Sequence, residues 1–207
     1  MKHLKFLTVL IAMLLSMPLI TSCSEDEEEA LLSPISNIYA PTGMENGKGY
    51  VDLGLSVKWA TCNIGASSPE EYGDYFAWGE PDPTDVYVWS TYKGCNGSQN
   101  TLTKYCTNKE YGAVDNKITP ELEDDAAHVN WGGEWRMPTK EEVEELHKKC
   151  TWTPTKINGV SGREITGPNG NKLFLPYSGY CSEGKYPGGG TGHCWSNTSS
   201  LHKAYCL

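Results

Sequence analysis

The sequence predicts an α+β domain in which short strands and two helices are joined by long irregular loops. Three observations support this expectation. Apolar side chains alternate through YVDLGLSVKWATCNIG, a period that is typical of a half-buried strand. The letters PTKEEVEEL begin an amphipathic helix. The stretch GREITGPNGNKLFLP has the form of a hairpin, with glycines that allow a tight turn.

The first strand is predicted by apolar side chains at every second position, with Gly54 as a bulge. The side chains on this face are Val51, Leu53, Leu55, Val57 and Trp59. Residues 68–71, SPEE, then have the form of a capping box with proline at the first helical position, and they predict one helical turn. Residues 74–80, DYFAWGE, are predicted as another strand that ends before Pro81.

A long irregular segment is predicted over residues 81–118, which lack apolar periodicity and are rich in Gly, Asn, Thr and Tyr. Loops of that length inside a compact domain are usually functional. A short helix is predicted to start at residues 119–121, TPE, and to continue through Val129.

The stretch WGGEWRMPTKEEVEEL could belong to a catalytic site or could join a loop to a helix. Thr139 is placed to cap the helix, and Glu142 stands at the reciprocal position of a capping box. Val143, Leu146 and Cys150 share one helical face, which leaves the other glutamates in solvent. Helix initiation alone therefore accounts for these residues, and no catalysis is needed.

The C-terminal part of the chain predicts further strands. Residues 163–166 and 172–175 flank the GPNG turn of the hairpin. A glycine-rich loop follows and leads into a strand near Trp195, and residues 202–207 are predicted as another strand.

The N-terminal residues predict export and a lipid anchor. Lys2 and Lys5 precede an apolar run that stops at Pro18, which is too short for a membrane span and fits a signal peptide over residues 1–22. The letters ITSC resemble a bacterial lipobox, and this implies cleavage before Cys23 and acylation of that residue. An ordinary secretory signal with a chance cysteine is the alternative.

An acidic flexible tether is predicted over residues 23–49, and a single domain over residues 50–207. The block EDEEE just after Cys23 repels itself and stays solvated. It also resembles the acidic export tag of surface-displayed lipoproteins. Together these features predict a lipid-anchored protein of the outer membrane, exposed at the cell surface.

The charge of the chain excludes nucleic acid as a partner. The net charge is −9, and removal of residues 1–22 deletes two lysines and no acid, which gives −11. Nucleic-acid binding depends on clustered Lys and Arg, and the sequence contains no basic stripe. The expected partners are the membrane, through the lipid anchor, and an extracellular glycan or protein ligand.

The eight cysteines suggest disulfides in an exported chain. With Cys23 reserved for lipid, seven remain, so at most three bridges form and one thiol is left over. The candidate pairs are Cys95–Cys106, Cys181–Cys194 and Cys62–Cys150. Sequence leaves this connectivity open, and a fully reduced set stays an alternative.

Several segments resemble, in chain order, the Fibrobacter succinogenes major paralogous domain of bacterial surface lipoproteins. They include VDLGLSVKWATCNIGASSPEEYGDYFAWGE, DDAAHVNWGGEWRMPTKEEVEEL, TGPNGNKLFLPYSGY and CWSNT, and the match covers nearly all of residues 50–205. The resemblance implies a C-type-lectin-like fold, with small twisted antiparallel sheets, two helices and long irregular loops, that serves as a ligand-display or adhesion scaffold. Family members usually continue past a strand such as 202–207, which implies a truncated C-terminus or a missing edge strand.

No catalytic residue, metal or cofactor is predicted. Glu80-Pro81-Asp82 resembles a sugar-binding motif of lectins but follows an early strand, so Glu80 and Asp82 are expected to be solvated turn residues. Zinc-ligand spacings such as C-x-x-C are absent. WRMPTKEEVEEL also resembles the helix start of formylglycine-generating-type enzymes. Cys194 and Cys206 could imitate their reactive pair, but the late motif around that pair is missing.

The predicted ligand-binding residues are aromatic side chains and one histidine in the irregular segments. Rings beside small polar residues make adaptable contacts at low entropic cost. These residues are Tyr180, Tyr186, His193 and Trp195 in the late loop, with Trp89 and Tyr92 in the long segment. The alternative that Trp195 and Tyr180 are buried core residues stays open.

The function expected from the sequence is therefore a lipid-anchored binding or adhesion module of the cell envelope, which recognises a glycan or protein ligand through aromatic, glycine-rich loops. One alternative is a structural envelope protein or a truncated paralogue without a ligand. Another is a formylglycine-generating-type enzyme.

Overall fold

The computed structural model describes residues 38–84, 86–180, 194–200 and 203–206. Among these residues, two helices and eight short strands form an α+β fold with small antiparallel sheets, as the sequence predicts. The strands are β1 (Gly43–Glu45), β2 (Lys48–Val51), β3 (Trp59–Ala60), β4 (Thr151–Ile157), β5 (Val160–Thr166), β6 (Lys172–Pro176), β7 (Trp195–Ser200) and β8 (Lys203–Cys206). The helices are α1 (Ala126–Trp131) and α2 (Lys140–Lys149).

The first sheet has the order β1-β2-β3 and begins before the predicted start of the domain. Asn46 and Gly47 have φ angles of 45° and 77° and form the two-residue turn between β1 and β2. Such turns need positive φ at both central positions, which Asn-Gly provides at low cost.

Tyr39 ties the start of the described chain to the second sheet. Its side chain is 8% exposed, its ring centroid lies 5.9 Å from that of Phe174, and its hydroxyl donates to Glu164 Oε2 at 2.8 Å. Burial and the adjacent carboxylate raise the pKa of Tyr39. The expected tether over residues 23–49 is therefore wrong in its last part, because residues 38–49 bury an aromatic side chain and pair as strands.

The strand predicted from the alternating stretch is divided in two. β2 ends at Val51 because the chain turns at Gly54, which has a φ of 75°, and Asp52 Oδ1 accepts from the amide of Gly54 at 2.8 Å. The alternation still marks the buried face, since Val51 and Leu53 are 1% and 0% exposed.

The second sheet, β4-β5-β6, is a meander that contains the predicted hairpin. β5 pairs with β6 up to Thr166 and Lys172, across the GPNG turn. β4 was not predicted from the sequence. The signal for it was Asn158-Gly159, whose φ angles of 49° and 86° form the turn between β4 and β5, because Asn-Gly is the strongest short-range hairpin signal.

The short helix predicted from residue 119 starts later than expected. A 3₁₀ turn over Leu122–Asp124 comes first, and α1 then begins after Asp125. The carboxylate of Asp125 accepts from the amides of Ala127 and His128 at 2.9 and 3.0 Å. These bonds satisfy amides that the helix itself leaves without partners.

The main core lies between the first sheet, α2 and the second sheet. Its buried side chains are Val51, Leu53, Leu146, Ile165 and Leu173, and partly buried neighbours such as Trp59 and Trp152 pack against it. The predicted inner face of α2 is confirmed, since Val143 and Leu146 are buried and Cys150 packs at the edge of this cluster.

β7 connects the N-terminus of α2 with the irregular segment. The amide of Asn197 donates to the carbonyl of Pro138 at 2.7 Å, and the amide of Ser199 donates to the carbonyl of Ile118 at 2.8 Å. β7 pairs with β8 in an antiparallel ribbon. This arrangement confirms the predicted strand at Trp195 and fixes that residue at the strand's first position.

The helical turn predicted at residues 68–71 is a single hydrogen-bonded turn. The amide of Glu71 donates to the carbonyl of Ser68 at 3.2 Å, but the carboxylate of Glu71 accepts from Ser67 and not from the Ser68 amide. The turn does not extend because the chain reverses at Gly73, whose φ is 70°.

Two of the predicted disulfides are wrong in this structure, because Cys62, Cys95, Cys106 and Cys150 are free thiols. Each of the first three points its sulfur at a nearby carbonyl. Cys95 Sγ donates to the carbonyl of Trp89, Cys106 Sγ to that of Asn108, both at 3.1 Å, and Cys62 Sγ to that of Ala66 at 3.5 Å. The pair Cys181–Cys194 falls outside the described residues at Cys181.

Candidate binding cleft

A cavity of about 1410 Å³ is lined by segments from most of the domain, and one part of it lies between the segment 72–92 and the end of the chain around Ser178–Tyr180 and β7. Its lining is mostly apolar and aromatic, and β3 contributes Trp59. We call this part of the cavity the aromatic cleft and define it by Tyr75, Tyr87, Trp89, Tyr92, Tyr180 and Trp195. Sites for ligands are usually concave and lined by such side chains.

The segment 74–80 forms one wall of the aromatic cleft, and the strand predicted there is not present. Its carbonyl groups bond to aromatic side chains and not to a neighbouring strand. The Tyr87 hydroxyl donates to the carbonyl of Tyr75. The indole of Trp195 donates to the carbonyl of Phe76, and the Tyr92 hydroxyl to that of Trp78, both at 2.9 Å. These side chains hold the segment without a strand partner, and its end is a turn in which the amide of Glu80 donates to the carbonyl of Ala77 at 3.1 Å.

Trp89 and Tyr92 form an edge-to-face pair at the mouth of the cleft. Their ring centroids lie 5.9 Å apart with an interplanar angle of 84°. Trp89 is 42% exposed, and the neighbouring Val86 and Val88 are also exposed. Burial and the nearby Glu80 raise the pKa of Tyr92, which therefore remains a neutral hydrogen-bond donor.

Tyr180 and Trp195 come to the same cleft from the end of the chain. They are 48% and 39% exposed, so the alternative of buried core positions is wrong for both. The wall behind them is held by the indole of Trp78, which donates to the carbonyl of Ser196 at 2.8 Å, and by the Tyr75 hydroxyl, which donates to the carbonyl of Ser178 at 2.6 Å.

Glu80 is a buried carboxylate and not the solvated turn residue expected from the sequence. Its side chain is 5% exposed, and Oε1 accepts from the amide of Lys93 at 2.5 Å. Asp82 is exposed and pairs with the Lys93 ammonium at 2.6 Å. Glu80 therefore closes the loop 80–93 from inside, which positions Trp89 and Tyr92.

Tyr105 braces the floor of the aromatic cleft from the irregular segment. It has a φ of 59°, which is uncommon for a bulky residue. Its ring stands edge-to-face on Trp78 at 5.2 Å, and its hydroxyl donates to Asp124 Oδ2 at 2.5 Å. The amide of Tyr105 donates to Asp115 at 2.8 Å, which helps to hold this backbone conformation.

The stretch WGGEWRMPTKEEVEEL is a joint between a loop and α2. Thr139 and Glu142 form the predicted capping box, and Arg136 donates to both carboxylate oxygens of Glu142 at 2.8 and 2.6 Å. The indole of Trp135 donates to the carbonyl of Glu45 at 2.9 Å. These contacts are structural, and the described residues place no thiol against Glu142.

Three carboxylates, Glu121, Glu123 and Asp124, lie close enough to one another to contact a single ion. Lys104 already occupies this position, since its ammonium lies 2.8 Å from Asp124 and 3.8 Å from Glu123. Glu121 pairs with Lys117 at 2.5 Å. The cluster is thus an exposed network of ion pairs.

Four of the six predicted ligand-binding residues, Trp89, Tyr92, Tyr180 and Trp195, line the same cleft. Tyr186 and His193 lie outside the described residues, as does the lipidation residue Cys23. Sequence reasoning missed Tyr75 and Tyr87 as parts of this wall. The density of aromatic residues in DYFAWGE was the available signal, but it was interpreted as a strand.

No protein-family model, curated protein or solved structure matches this chain in the three comparisons that were made. Among the residues that the structure describes, no helix has the length and apolar character of a membrane span.

Proposed function

We propose that this chain is a lipid-anchored binding module of the bacterial cell envelope, with a C-type-lectin-like fold, that recognises a glycan or protein ligand through the aromatic cleft. The lipobox-like ITSC before the acidic block supports an anchor at Cys23 on the outer membrane. The arrangement of two helices and small antiparallel sheets is compatible with the proposed fold.

One observation carries the proposal of binding. Large rings from two segments that are far apart in sequence meet in one cleft and remain exposed there, namely Trp89 from the long segment and Tyr180 and Trp195 from the end of the chain. Exposed large aromatic residues that gather at one place mark interaction sites. Aromatic anchors at such sites account for much of the binding energy.

The test is binding of the full chain to a glycan array and to an array of short peptides. We expect binding to at least one array, and we expect Trp89→Ala to lower the affinity about thirtyfold, as for loss of a strong aromatic anchor. Met44→Ala is the matched control, because Met44 is 60% exposed but lies outside the cleft. Binding that survives Trp89→Ala would reject the aromatic cleft as the binding site, and no binding to either array would favour a structural envelope protein without a ligand.

A further inference from the structure

We propose that Asn96, in the dipeptide Asn96-Gly97, is a site of spontaneous modification at which the side-chain amide is lost and an aspartate or isoaspartate takes its place. Water is the co-reactant, and ammonia is the leaving group. This chemistry does not depend on what the aromatic cleft binds.

The modification proceeds in two balanced steps. The backbone nitrogen of Gly97 attacks Cγ of Asn96, so a C–N bond forms in a succinimide ring. The bond from Cγ to Nδ2 then breaks, and the proton of the attacking amide leaves with the ammonia. Water opens the ring at either of its carbonyl carbons, which gives aspartate or isoaspartate. A following glycine favours the attack, because it has no Cβ to shield its nitrogen.

The chain contains four Asn-Gly dipeptides, which begin at Asn46, Asn96, Asn158 and Asn169. All four asparagines are exposed, and the glycine after each of them has open space where a Cβ would lie. Access of water and room for the ring therefore do not distinguish the four positions. They differ in whether the side-chain amide is free to turn toward the next backbone nitrogen.

The amides of Asn46 and Asn158 are held by partners far away in the chain. Asn46 Nδ2 donates to the carbonyl of Trp131. Asn158 Nδ2 donates to Glu70 Oε1 at 2.6 Å. Each bond must break before Cγ can turn toward the attacking nitrogen, and this raises the barrier to ring closure.

At Asn169 both reacting groups are held. Its Nδ2 donates to the carbonyl of Asp52 at 2.8 Å. The backbone amide of Gly170, which would have to attack, donates to the carbonyl of Gly167 at 3.0 Å. This dipeptide closes the hairpin between β5 and β6, so the fold protects it at both atoms.

Asn96 is the exception. In the described part of the chain, its side chain has no hydrogen-bond or ionic partner, and the backbone amide of Gly97 donates to no other group. Only the backbone amide of Asn96 is held, since it donates to the carbonyl of Thr101 at 2.9 Å. The carbon that is attacked and the nitrogen that attacks are therefore both free to approach.

The site adjoins the loop that carries Trp89. Cys95 precedes it, and Cys95 Sγ donates to the carbonyl of Trp89 at 3.1 Å. Either product adds a negative charge to this exposed turn. Isoaspartate also lengthens the backbone by a methylene group, which we expect to weaken the turn that the bond from Asn96 to Thr101 closes.

The experiment follows the four dipeptides in the full, folded chain at mildly alkaline pH by tryptic digestion and mass spectrometry. Cleavage after Lys and Arg places Asn96, Asn158 and Asn169 in separate peptides, residues 94–104, 157–163 and 164–172. Fragmentation assigns the modified position within each peptide. We expect Asn96 to convert about fivefold faster than the other three, the rate equivalent of one hydrogen bond. In urea, where the tethers are lost, the four rates should converge.

A pair of variants tests the cause of protection. Glu70→Ala removes the acceptor of Asn158 Nδ2 and should speed the conversion of Asn158 about fivefold, with the rate at Asn96 unchanged. Glu70→Gln is the matched control, because it keeps an acceptor oxygen at the same position and should keep Asn158 slow.

Three results would overturn the inference. The first is a folded chain in which Asn46, Asn158 or Asn169 converts as fast as Asn96. The second is an Asn96 that converts in urea but stays intact in the folded chain, because the turn itself would then prevent the attack. The third is an unchanged rate at Asn158 in Glu70→Ala, which would show that amide tethers do not set these rates.

Discussion

Two buried acids, Asp125 and Glu80, accept hydrogen bonds from backbone amides and thereby connect neighbouring segments of the chain. Asp125, at 3% exposure, accepts from two amides of α1 and from the amide of Met137, which lies beyond the helix. It therefore ties the start of α1 to the joint before α2. Glu80 has a comparable role under the loop that carries Trp89. Sequence indicated neither role, because an acid in a turn looks the same whether it faces solvent or the chain's own amides.

Asp125→Ala should lower the free energy of unfolding by about 3 kcal/mol, because it removes a helix cap and leaves buried amides without a charged acceptor. Asp125→Asn keeps one acceptor oxygen and should cost less. The measurement is urea denaturation followed by circular dichroism. Glu123→Ala is the control, since that neighbouring acid is exposed, and its effect should stay within about 0.5 kcal/mol. Equal effects of Asp125→Ala and Glu123→Ala would contradict the assigned role.

At the scale of elements, α2 is the part that the sequence describes best and the segment 74–80 the part it describes worst. Thr139 and Glu142 cap α2 through contacts three residues apart, which local spacing reveals. The segment 74–80 is predicted as a strand, but its carbonyls bond to Tyr87, Tyr92 and Trp195. One of these partners is far away in sequence, so no local pattern could indicate the outcome.

The cap of α2 should make the stability of the domain depend on pH in acid. The paired hydrogen bonds from Arg136 lower the pKa of Glu142 below its ordinary value. A carboxyl group whose pKa is lower in the folded state than in the unfolded state stabilises the fold at pH values above its unfolded-state pKa, about 4.3 for glutamate. This contribution to stability is lost as the pH falls through the folded-state pKa. We expect urea midpoints to fall between about pH 5 and about pH 3.

Glu142→Gln should reduce this fall, since it removes the titrating carboxylate. Glu141→Gln is the matched control, because it changes the charge of the same helical turn and leaves the pair with Arg136 intact. Identical pH profiles for wild type and Glu142→Gln would show that the ion pair does not contribute.

At the scale of the molecule, the aromatic cleft exists because two distant parts of the chain meet. Trp78 and Tyr75 bond to carbonyls of Ser196 and Ser178, more than a hundred residues away. These bonds hold the two parts of the chain together. Whether cysteines pair is also decided at the scale of the whole molecule. Sequence supplies candidate pairs, and only the fold decides which sulfurs come together; Cys62, Cys95, Cys106 and Cys150 remain free thiols.

The free thiols of the described cysteines can be counted directly. Thiol titration of the purified protein in denaturant, without reductant, should detect at least four thiols, those of Cys62, Cys95, Cys106 and Cys150. Titration after full reduction provides the reference count for the same sample. Fewer than four thiols before reduction would mean that one of these residues forms a bridge in the purified protein.

The sequence by itself determined the α+β class, the capped helix at Thr139, the hairpin around GPNG, the irregular segment and four of the six aromatic residues that define the cleft. These features depend on spacings of two to four residues or on local composition, which a single sequence displays. Tertiary structure alone decided that residues 38–49 join the fold, that Glu80 is buried, that segment 74–80 has no strand partner and that Trp59 Nε1 is left unpaired. Each of these depends on contacts between residues far apart in the chain, and such contacts leave no periodic trace in the sequence.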